Sequence, residues 1–176
     1  EDHGVNLVGA NVVIVGGGGI ATSLAAMLWP FGCHVTVVRN RVQEMADVHV
    51  VVGHDDLDSV LPGADAVVLA LALTEETVGM FSRTQFELME RHAWIVNVAR
   101  GRHIVTDDLV WALRTGEIGG AALDVTDPEP LPELMVDLKG RAEAENLIGI
   151  YAALSGRTAQ EVLTEFAGQG FGAFKP

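Results

Sequence analysis

The segment Asn11-Val-Val-Ile-Val15 runs directly into Gly16-Gly-Gly-Gly-Ile-Ala21, and this junction of an apolar run with a glycine-rich turn decides the fold. The turn has the spacing GxGxxA. In that spacing Gly16 permits a tight turn, Gly18 leaves room for a pyrophosphate, and Ala21 lets a helix pack closely on the strand. The sequence therefore indicates a strand-turn-helix unit that binds a nucleotide.

The start of the predicted helix supports the same interpretation. At Gly19 and Ile20 it would offer free backbone amides and its positive dipole end to the phosphates. A flexible surface turn is the alternative explanation for a glycine run. The strand before the turn and the helix after it favour nucleotide binding.

Apolar, β-branched runs alternate with amphipathic segments along the chain, a pattern typical of parallel strands covered on both faces by crossover helices. Strands are predicted over residues 11–15, 34–38, 49–52, 66–71, 94–98 and 120–125. Helices are predicted over 20–29, after Ser82, after Thr106, over 142–154, and from a cap at Thr158 to about Phe166. The expected fold class is α/β: a Rossmann-type doubly wound parallel sheet in three α/β/α layers, with a C-terminal helical appendage.

Composition excludes several classes of protein. The 176 residues carry 24 acidic and 11 basic side chains, for a net charge of −13. This argues against general binding of nucleic acids or anionic membranes, because no basic surplus exists to neutralise phosphates. The single cysteine, Cys33, excludes an intrachain disulfide and a multi-cysteine zinc site. The longest apolar stretch, 66–73, is too short to span a bilayer and no secretion signal is visible, so we expect a cytoplasmic protein.

The strand at 34–38 should deliver the residue that meets the adenosine ribose of a bound dinucleotide. NAD sites usually place an acid there, whereas this sequence has Arg39, Asn40 and Arg41. Two guanidiniums and an amide suit a 2′-phosphate, to which arginine can donate a bidentate pair of hydrogen bonds. We therefore predict NADP or NAD as the cofactor, with NADP preferred. The alternative is that both arginines are solvated and that backbone groups hold the ribose.

Four more motifs follow in order: Leu61-Pro-Gly-Ala-Asp-Ala-Val-Val-Leu-Ala-Leu71, Thr74-Glu-Glu-Thr77, Val96-Asn-Val-Ala-Arg-Gly101 and Ala121-Ala-Leu-Asp-Val-Thr-Asp-Pro-Glu-Pro-Leu-Pro132. Together with the glycine turn, residues 7–132 resemble the cofactor-binding domain of the D-isomer-specific 2-hydroxyacid dehydrogenases. Ala72 and Glu75 stand where that family often has prolines, a small departure.

The resemblance implies roles for individual residues. Arg100 would bind the carboxylate and carbonyl of a 2-oxoacid, Asp124 would meet the nicotinamide end, and Glu129 would pair with a catalytic histidine. The cofactor would also be lined by Leu71, Thr77 and Ala99. Position independently supports Arg100, because it directly follows a strand at the edge where open α/β sheets bind ligands. The alternatives are a surface salt bridge for Arg100 and simple solvation for Glu129.

Hydride transfer to a 2-oxoacid also needs a proton donor, and a histidine paired with a carboxylate is the expected one. In the family this histidine lies beyond the Pro-Glu-Pro loop, but this sequence has no histidine after His103. His103 is three residues from Arg100, and a role on the loop surface is the favoured interpretation for it. The remaining histidines form no metal-ligand spacing with carboxylates or Cys33, so no metal is expected. The family's substrate domain is also missing, so catalysis is doubtful.

A second resemblance covers the C-terminal part. Gly140-Arg-Ala-Glu-Ala-Glu-Asn-Leu-Ile-Gly-Ile-Tyr-Ala-Ala-Leu-Ser-Gly156 and Glu161-Val-Leu-Thr-Glu-Phe-Ala-Gly-Gln-Gly-Phe-Gly-Ala-Phe-Lys-Pro176 resemble the C-terminal helical segment of bacterial tryptophanyl-tRNA synthetases. No adenylate-forming signature occurs in the chain, so synthetase activity is not implied. We interpret the chain as a chimera, and favour engineered recombination over natural fusion. Its parts would be a dinucleotide-binding domain incomplete at its C-terminal end (1–132), a junction (133–139) and a helical segment packing on the same domain (140–176).

Three functions remain open at this stage. The first is an NAD(P)-binding module that is catalytically incomplete. The second is a residual oxidoreductase whose proton donor comes from a partner chain. The third is an engineered chimeric fold with no ligand. The surface left by the missing substrate domain should be unusually apolar, so we expect self-association as a homo-oligomer.

Overall fold

A computed structural model describes residues 6–124, 135–138 and 141–169. It confirms the predicted fold class, with six parallel strands in the order β3-β2-β1-β4-β5-β6. The strands are β1 (Asn11–Val15), β2 (His34–Val38), β3 (Val50–Val52), β4 (Ala66–Leu69), β5 (Trp94–Asn97) and β6 (Gly120–Leu123). Because β1 pairs with both β2 and β4, the strand order reverses at β1, and ligands bind at such a switch point.

The predicted bounds of β1 and β2 match the structure, whereas the later strands are shorter. β3 begins at Val50 and not at His49, whose ring Nδ1 accepts the Val35 amide while its own amide donates to the Val35 carbonyl. β4 and β5 end at Leu69 and Asn97, before the predicted 71 and 98. The sheet ladder therefore stops just before the loops at its carboxyl edge.

Helices connect the strands, and local signals explain most of their ends. They are α1 (Gly19–Leu28), α2 (Leu57–Val60), α3 (Arg83–Leu88), α4 (Thr106–Thr115), α5 (Ala142–Ser155) and α6 (Ala159–Phe166). The predicted capping boxes are present at Ser82 before α3 and at Thr158 before α6. α1 gives way at Trp29 to a 3-10 turn that contains Pro30. α4 begins at Thr106 itself, one residue before the predicted start, and short α2 had no prediction.

The two faces of the sheet are covered differently. On one face, a core cluster joins the sheet to Leu57 of α2, Phe86 of α3, Leu109 of α4 and Ile150 of α5. On the other face, the second cluster packs against α1 through Ala21, Ala25 and Leu28. The face with α1 also carries an apolar groove along that helix. The fold thus leaves one face less covered than the other.

Helix α5 packs against the domain at α4 and at the 3-10 turn that follows β5, and α6 packs on α5. Asn146 of α5 bonds to the Thr106 hydroxyl, and Arg114 of α4 bonds to the carbonyl of Ala153. A third apolar cluster holds the segment 135–138 together with α5 and α6: Leu138, Ala144, Ile148, Ala152, Val162 and Leu163. α5 is therefore bonded directly to the sheet domain.

The amino edge of the sheet is held by a carboxylate. Asp65 accepts the backbone amide of Asn11 at 2.7 Å and faces Nε2 of His92 at 2.7 Å. The amide of Asn11, together with His92, lowers the pKa of Asp65. These hydrogen bonds lie at the opposite edge from the glycine turn, so they stabilise the sheet away from the cleft.

Candidate dinucleotide-binding site

A cleft of about 290 Å³ opens at the carboxyl edge of the sheet, above the ends of β1 to β4. Thirteen residues line it, and six of them were predicted to bind the cofactor: Gly16, Gly18, Arg39, Asn40, Leu71 and Thr77. The structure therefore gathers residues from four separate strand ends around one concave surface. This is the geometry expected of a ligand site in an open α/β sheet.

Gly16 allows two strands to meet closely at the floor of the cleft. Its φ is +122°, and a Cβ at this position would stand 2.2 Å from the carbonyl oxygen of Ala70. The Gly16 amide donates to Val38 and the Ala70 amide donates to Val15, both at 2.8 Å. Any side chain at position 16 would force the backbones of β1 and β4 apart.

Gly17 makes room for the side chain of Arg39. A Cβ on Gly17 would lie 2.5 Å from Nε of Arg39 and 2.7 Å from its Cδ. The half-buried arginine therefore lies against the glycine turn, inside the cleft. Arg41 is exposed and does not line this cleft, so the structure separates the two arginines that the sequence treated alike.

Gly18 precedes α1 and leaves open space beside the turn. A Cβ on Gly18 would meet no atom within 4 Å. The open position, next to the free amides at the start of α1, fits a pyrophosphate. Of the two other predicted residues here, Gly19 is the first residue of α1, and Ile20 lines the apolar groove on the face with α1. Neither lines the cleft.

Thr77 fixes the shape of the loop that closes the cleft after β4. Its hydroxyl accepts the amide of Thr74 at 2.8 Å and lies 3.0 Å from the carbonyl of Ala72, to which it can donate. The side chain is 7% exposed. Thr77 thus acts on the cleft mainly through the conformation of residues 72–77.

The predicted substrate-binding residue Arg100 stands on a turn held by Asn97. The buried Asn97 side chain accepts the amide of Ala99 at 2.9 Å and donates to the carbonyl of Arg100 at 2.8 Å. Arg100 itself is exposed, and its guanidinium bonds only to the carbonyl of Ala99 among the described residues. Its charge is therefore available to a ligand anion.

The remaining predicted residues lie toward the other half of this edge. Asp124 is exposed directly after β6, and its amide donates to the carbonyl of Asn97 at 2.8 Å. Arg100, Ala99 and Asp124 therefore follow the neighbouring strands β5 and β6, outside the cleft above β1 to β4. Glu129 lies outside the residues that the structure describes.

The expectation of a surface position for His103 is wrong. Its side chain is completely buried, and its Nδ1 lies 3.0 Å from the carbonyl of Thr77. Since a carbonyl can only accept, Nδ1 must carry the hydrogen. The turn is covered by α5 and by the segment at Phe81, which pairs with Ile104. Both elements are distant from His103 in the sequence, so the sequence pattern around His103 could not indicate this burial.

Two residues that contribute to the site had no predicted role. Asn97 is a polar residue at the end of an otherwise apolar strand, and this contrast could have indicated a side chain that bonds the next turn. His54 follows β3 and lines the cleft beside Arg39 and Asn40. His54 follows a strand that the sequence predicts and that ends at the same edge of the sheet as the glycine turn, and this position could have indicated its role.

These features define a dinucleotide-binding α/β domain. The sequence profile of the D-isomer specific 2-hydroxyacid dehydrogenase NAD binding domain matches residues 1–146, and the chain belongs to this family. An uncharacterised protein of Corynebacterium melassecola is 43% identical over 122 residues, which cover 69% of this chain and 40% of the relative. The chain thus spans about two fifths of the length of that relative.

Solved structures agree with this assignment. Phosphoglycerate dehydrogenase from Lactobacillus plantarum matches with a TM-score of 0.67 and 35% identity, over 73% of this chain and 41% of that one. An NADPH-dependent glyoxylate/hydroxypyruvate reductase from Sinorhizobium meliloti, in complex with NADP and sulfate, matches with a TM-score of 0.65 and 26% identity. That match covers 88% of this chain and 55% of the reductase.

A different relative matches a shorter stretch. Tryptophan–tRNA ligase of Caulobacter vibrioides is 65% identical over 51 residues, which are 29% of this chain and 15% of the ligase. Within the described residues, no group of three or more histidine, cysteine, aspartate or glutamate side chains could hold a metal ion. The same part of the chain has no helix of the length and apolarity needed to cross a membrane.

Replacing Asn97 by alanine should loosen the Arg100 turn. The substitution leaves the amide of Ala99 and the carbonyl of Arg100 without their side-chain partner, so the free energy of unfolding should fall by about 2 kcal/mol. Urea denaturation followed by circular dichroism measures this. Asn6→Ala is the control, because among the described residues the side chain of the exposed Asn6 bonds only to the nearby amide of Val8. Equal stability of the Asn97 variant and the parent would show that the side chain does not hold the turn.

Proposed function

We propose that these 176 residues bind a nicotinamide dinucleotide with NADP preferred over NAD, and that on their own they do not reduce 2-oxoacids. The position of Arg39 carries the preference. Its side chain lies against Gly17 inside the cleft, at the end of β2 where an NAD site would usually place an acid. A guanidinium at that point suits a 2′-phosphate.

A relative supports this preference. The Sinorhizobium meliloti reductase, which shares the fold at 26% identity, is described as NADPH-dependent and holds NADP in its crystal structure. Arg39 is half-buried and lines the cleft, whereas Arg41 does neither. We therefore assign the recognition of the 2′-phosphate to Arg39, with Asn40 beside it.

The two halves of the carboxyl edge would bind different parts of the cofactor. The cleft above β1 to β4 suits the adenosine and pyrophosphate, with Gly18 and the start of α1 at the phosphates. The turns after β5 and β6, with Ala99, Arg100 and Asp124, suit the nicotinamide half. The bound cofactor would supply a hydride, and the exposed Arg100 guanidinium would bind the carboxylate of a 2-oxoacid.

The positions of the histidines support the lack of turnover. His34, His49 and His92 lie at the amino edge of the sheet, at or next to the starts of β2, β3 and β5. His54 lines the adenosine side of the cleft, and His103 is buried with Nδ1 bound to the carbonyl of Thr77. None of these described histidines has its ring placed at Arg100, so the described part of the chain offers no histidine there to protonate a substrate carbonyl.

We also propose that the chain is a hybrid of a dehydrogenase cofactor domain and a synthetase-derived helical tail. The short, highly similar match to tryptophan–tRNA ligase supports this origin. The helical tail comprises α5 and α6. Its helix α5 supports the cofactor domain, because it packs on α4 and on the turn that follows Arg100. No synthetase activity is part of the proposal.

Gly18→Ala tests dinucleotide binding. The added methyl meets no protein atom, so the melting temperature should stay unchanged, but it occupies the space for the pyrophosphate. Overpacking a close contact costs about 1–3 kcal/mol, so NADPH affinity should fall about ten- to one-hundred-fold in calorimetric titration. Gly149→Ala on α5 is the control. Equal NADPH binding by the Gly18 variant and the parent would place the cofactor elsewhere.

Separate alanine variants of the two arginines test the preference for NADP. Arg39→Ala should weaken NADPH about ten- to one-hundred-fold, because charge-assisted hydrogen bonds contribute about 1.5–3 kcal/mol. Its NADH affinity should change much less. Arg41→Ala is the matched control and should behave like the parent. Tighter binding of NADH than NADPH by the parent would contradict the preference.

Turnover is tested by following NADPH absorbance at 340 nm with glyoxylate, pyruvate or hydroxypyruvate. The purified chain should bind NADPH without measurable substrate-dependent oxidation, because no described histidine faces Arg100. Oxidation that requires the cofactor and disappears in Arg100→Ala would show instead that the chain retains catalysis.

A further inference from the structure

His54 occupies a place in the cleft that the glycine-turn motif does not explain. It follows β3 and lines the same surface as the glycine turn, Arg39 and Asn40. The residue is half-buried, so its imidazole has part of its surface in the cleft and part in the protein. A titratable ring held at the edge of a nucleotide cleft can bond a phosphate.

The sheet places His54 next to Arg39. The amide of Arg39 donates to the carbonyl of Val52 at 3.0 Å, which joins the ends of β2 and β3. His54 comes two residues after Val52 and therefore leaves the sheet beside Arg39. The strand order β3-β2-β1 puts His54 on the side of Arg39 that lies away from the glycine turn.

The layout of a dinucleotide gives this position a chemical meaning. With the pyrophosphate at the turn after β1, the adenosine ribose lies above the end of β2. A phosphate on the 2′-oxygen would then lie in the part of the cleft that Arg39, Asn40 and His54 line. Histidine can donate from a ring nitrogen to phosphate oxygens, with a stronger bond when the ring is protonated.

The charged groups around His54 are of both signs. Arg39, at the end of β2, and Glu76, in the loop after β4, line the same cleft. Asp55 and Asp56 follow it on its own 3-10 turn and are exposed. Arg39 supplies the fixed positive charge that a phosphate dianion needs, and the imidazole of His54 can donate a further hydrogen bond to it.

We propose that His54 is a specificity-determining residue that bonds the 2′-phosphate of NADP together with Arg39. This inference rests on the proposed binding of NADP. It assigns part of the discrimination between the two cofactors to β3, in addition to the residues after β2.

Titration of NADPH, NADH, adenosine 2′,5′-bisphosphate and AMP into four proteins tests this proposal. These are the parent, His54→Ala, His54→Lys and the control His92→Ala, which removes an imidazole at the opposite edge of the sheet. In His54→Ala, affinity for the two 2′-phosphorylated ligands should fall about ten-fold, the loss expected for one charge-assisted bond. NADH and AMP should bind as in the parent, and His54→Lys should recover much of the loss.

Other outcomes separate this inference from the proposed function. Parent protein that binds neither dinucleotide would refute the proposed function, and this inference with it. Parent that prefers NADPH, with an unchanged preference in His54→Ala, would overturn the inference alone. An equal loss for phosphorylated and unphosphorylated ligands would also overturn it, since His54 would then support the adenosine. Failure of His54→Lys to recover any binding would exclude a charged contact with the phosphate.

Discussion

The backbone of Gly16 lies so close to the carbonyl of Ala70 that no side chain fits between them, and the cleft depends on this contact. A Cβ on Gly16 would stand 2.2 Å from the Ala70 oxygen. The contact lies where β1 is flanked by β2 on one side and β4 on the other, joined by the bonds from Gly16 to Val38 and from Ala70 to Val15. The glycine turn is thereby fixed low between the strand ends, which leaves open the crevice that we propose as the phosphate site.

The glycine turn and the part of the cleft lined by Arg39 form one packed unit. The motif treats Gly17 as a variable position, but here its missing side chain is what lets Arg39 lie across the turn. The residue at position 17 and the placement of Arg39 are thus coupled: a larger residue at 17 would displace Arg39. Three glycines of the run therefore have different reasons. Gly16 allows the close approach of the Ala70 carbonyl, Gly17 makes room for Arg39, and Gly18 leaves open the space proposed for the pyrophosphate.

The sequence could predict those features that depend on local pattern. β1 and β2 and the capping boxes before α3 and α6 follow from short, continuous signals, and six cleft residues follow from the motifs. The burial of His103 depends on α5 and on the segment at Phe81, which reach it only through tertiary packing. His54 was missed for a related reason, since its importance comes from the pairing of β2 with β3 and not from residues near it in sequence.

The turn that carries Arg100 is held from two directions, and only one belongs to the sheet. Asn97 bonds it from within β5, while α5 covers the next residues: a Cβ on Gly101 would lie 2.7 Å from Nδ2 of Asn146. Asn146 also bonds Thr106 at the start of α4. Helix α5 is therefore part of the support of the turn that carries Arg100, whereas Arg39 and His54 lie above β2 and β3 at the other end of the sheet. Changes in α5 should consequently act on the Arg100 turn and leave the cleft above β1 to β4 largely intact.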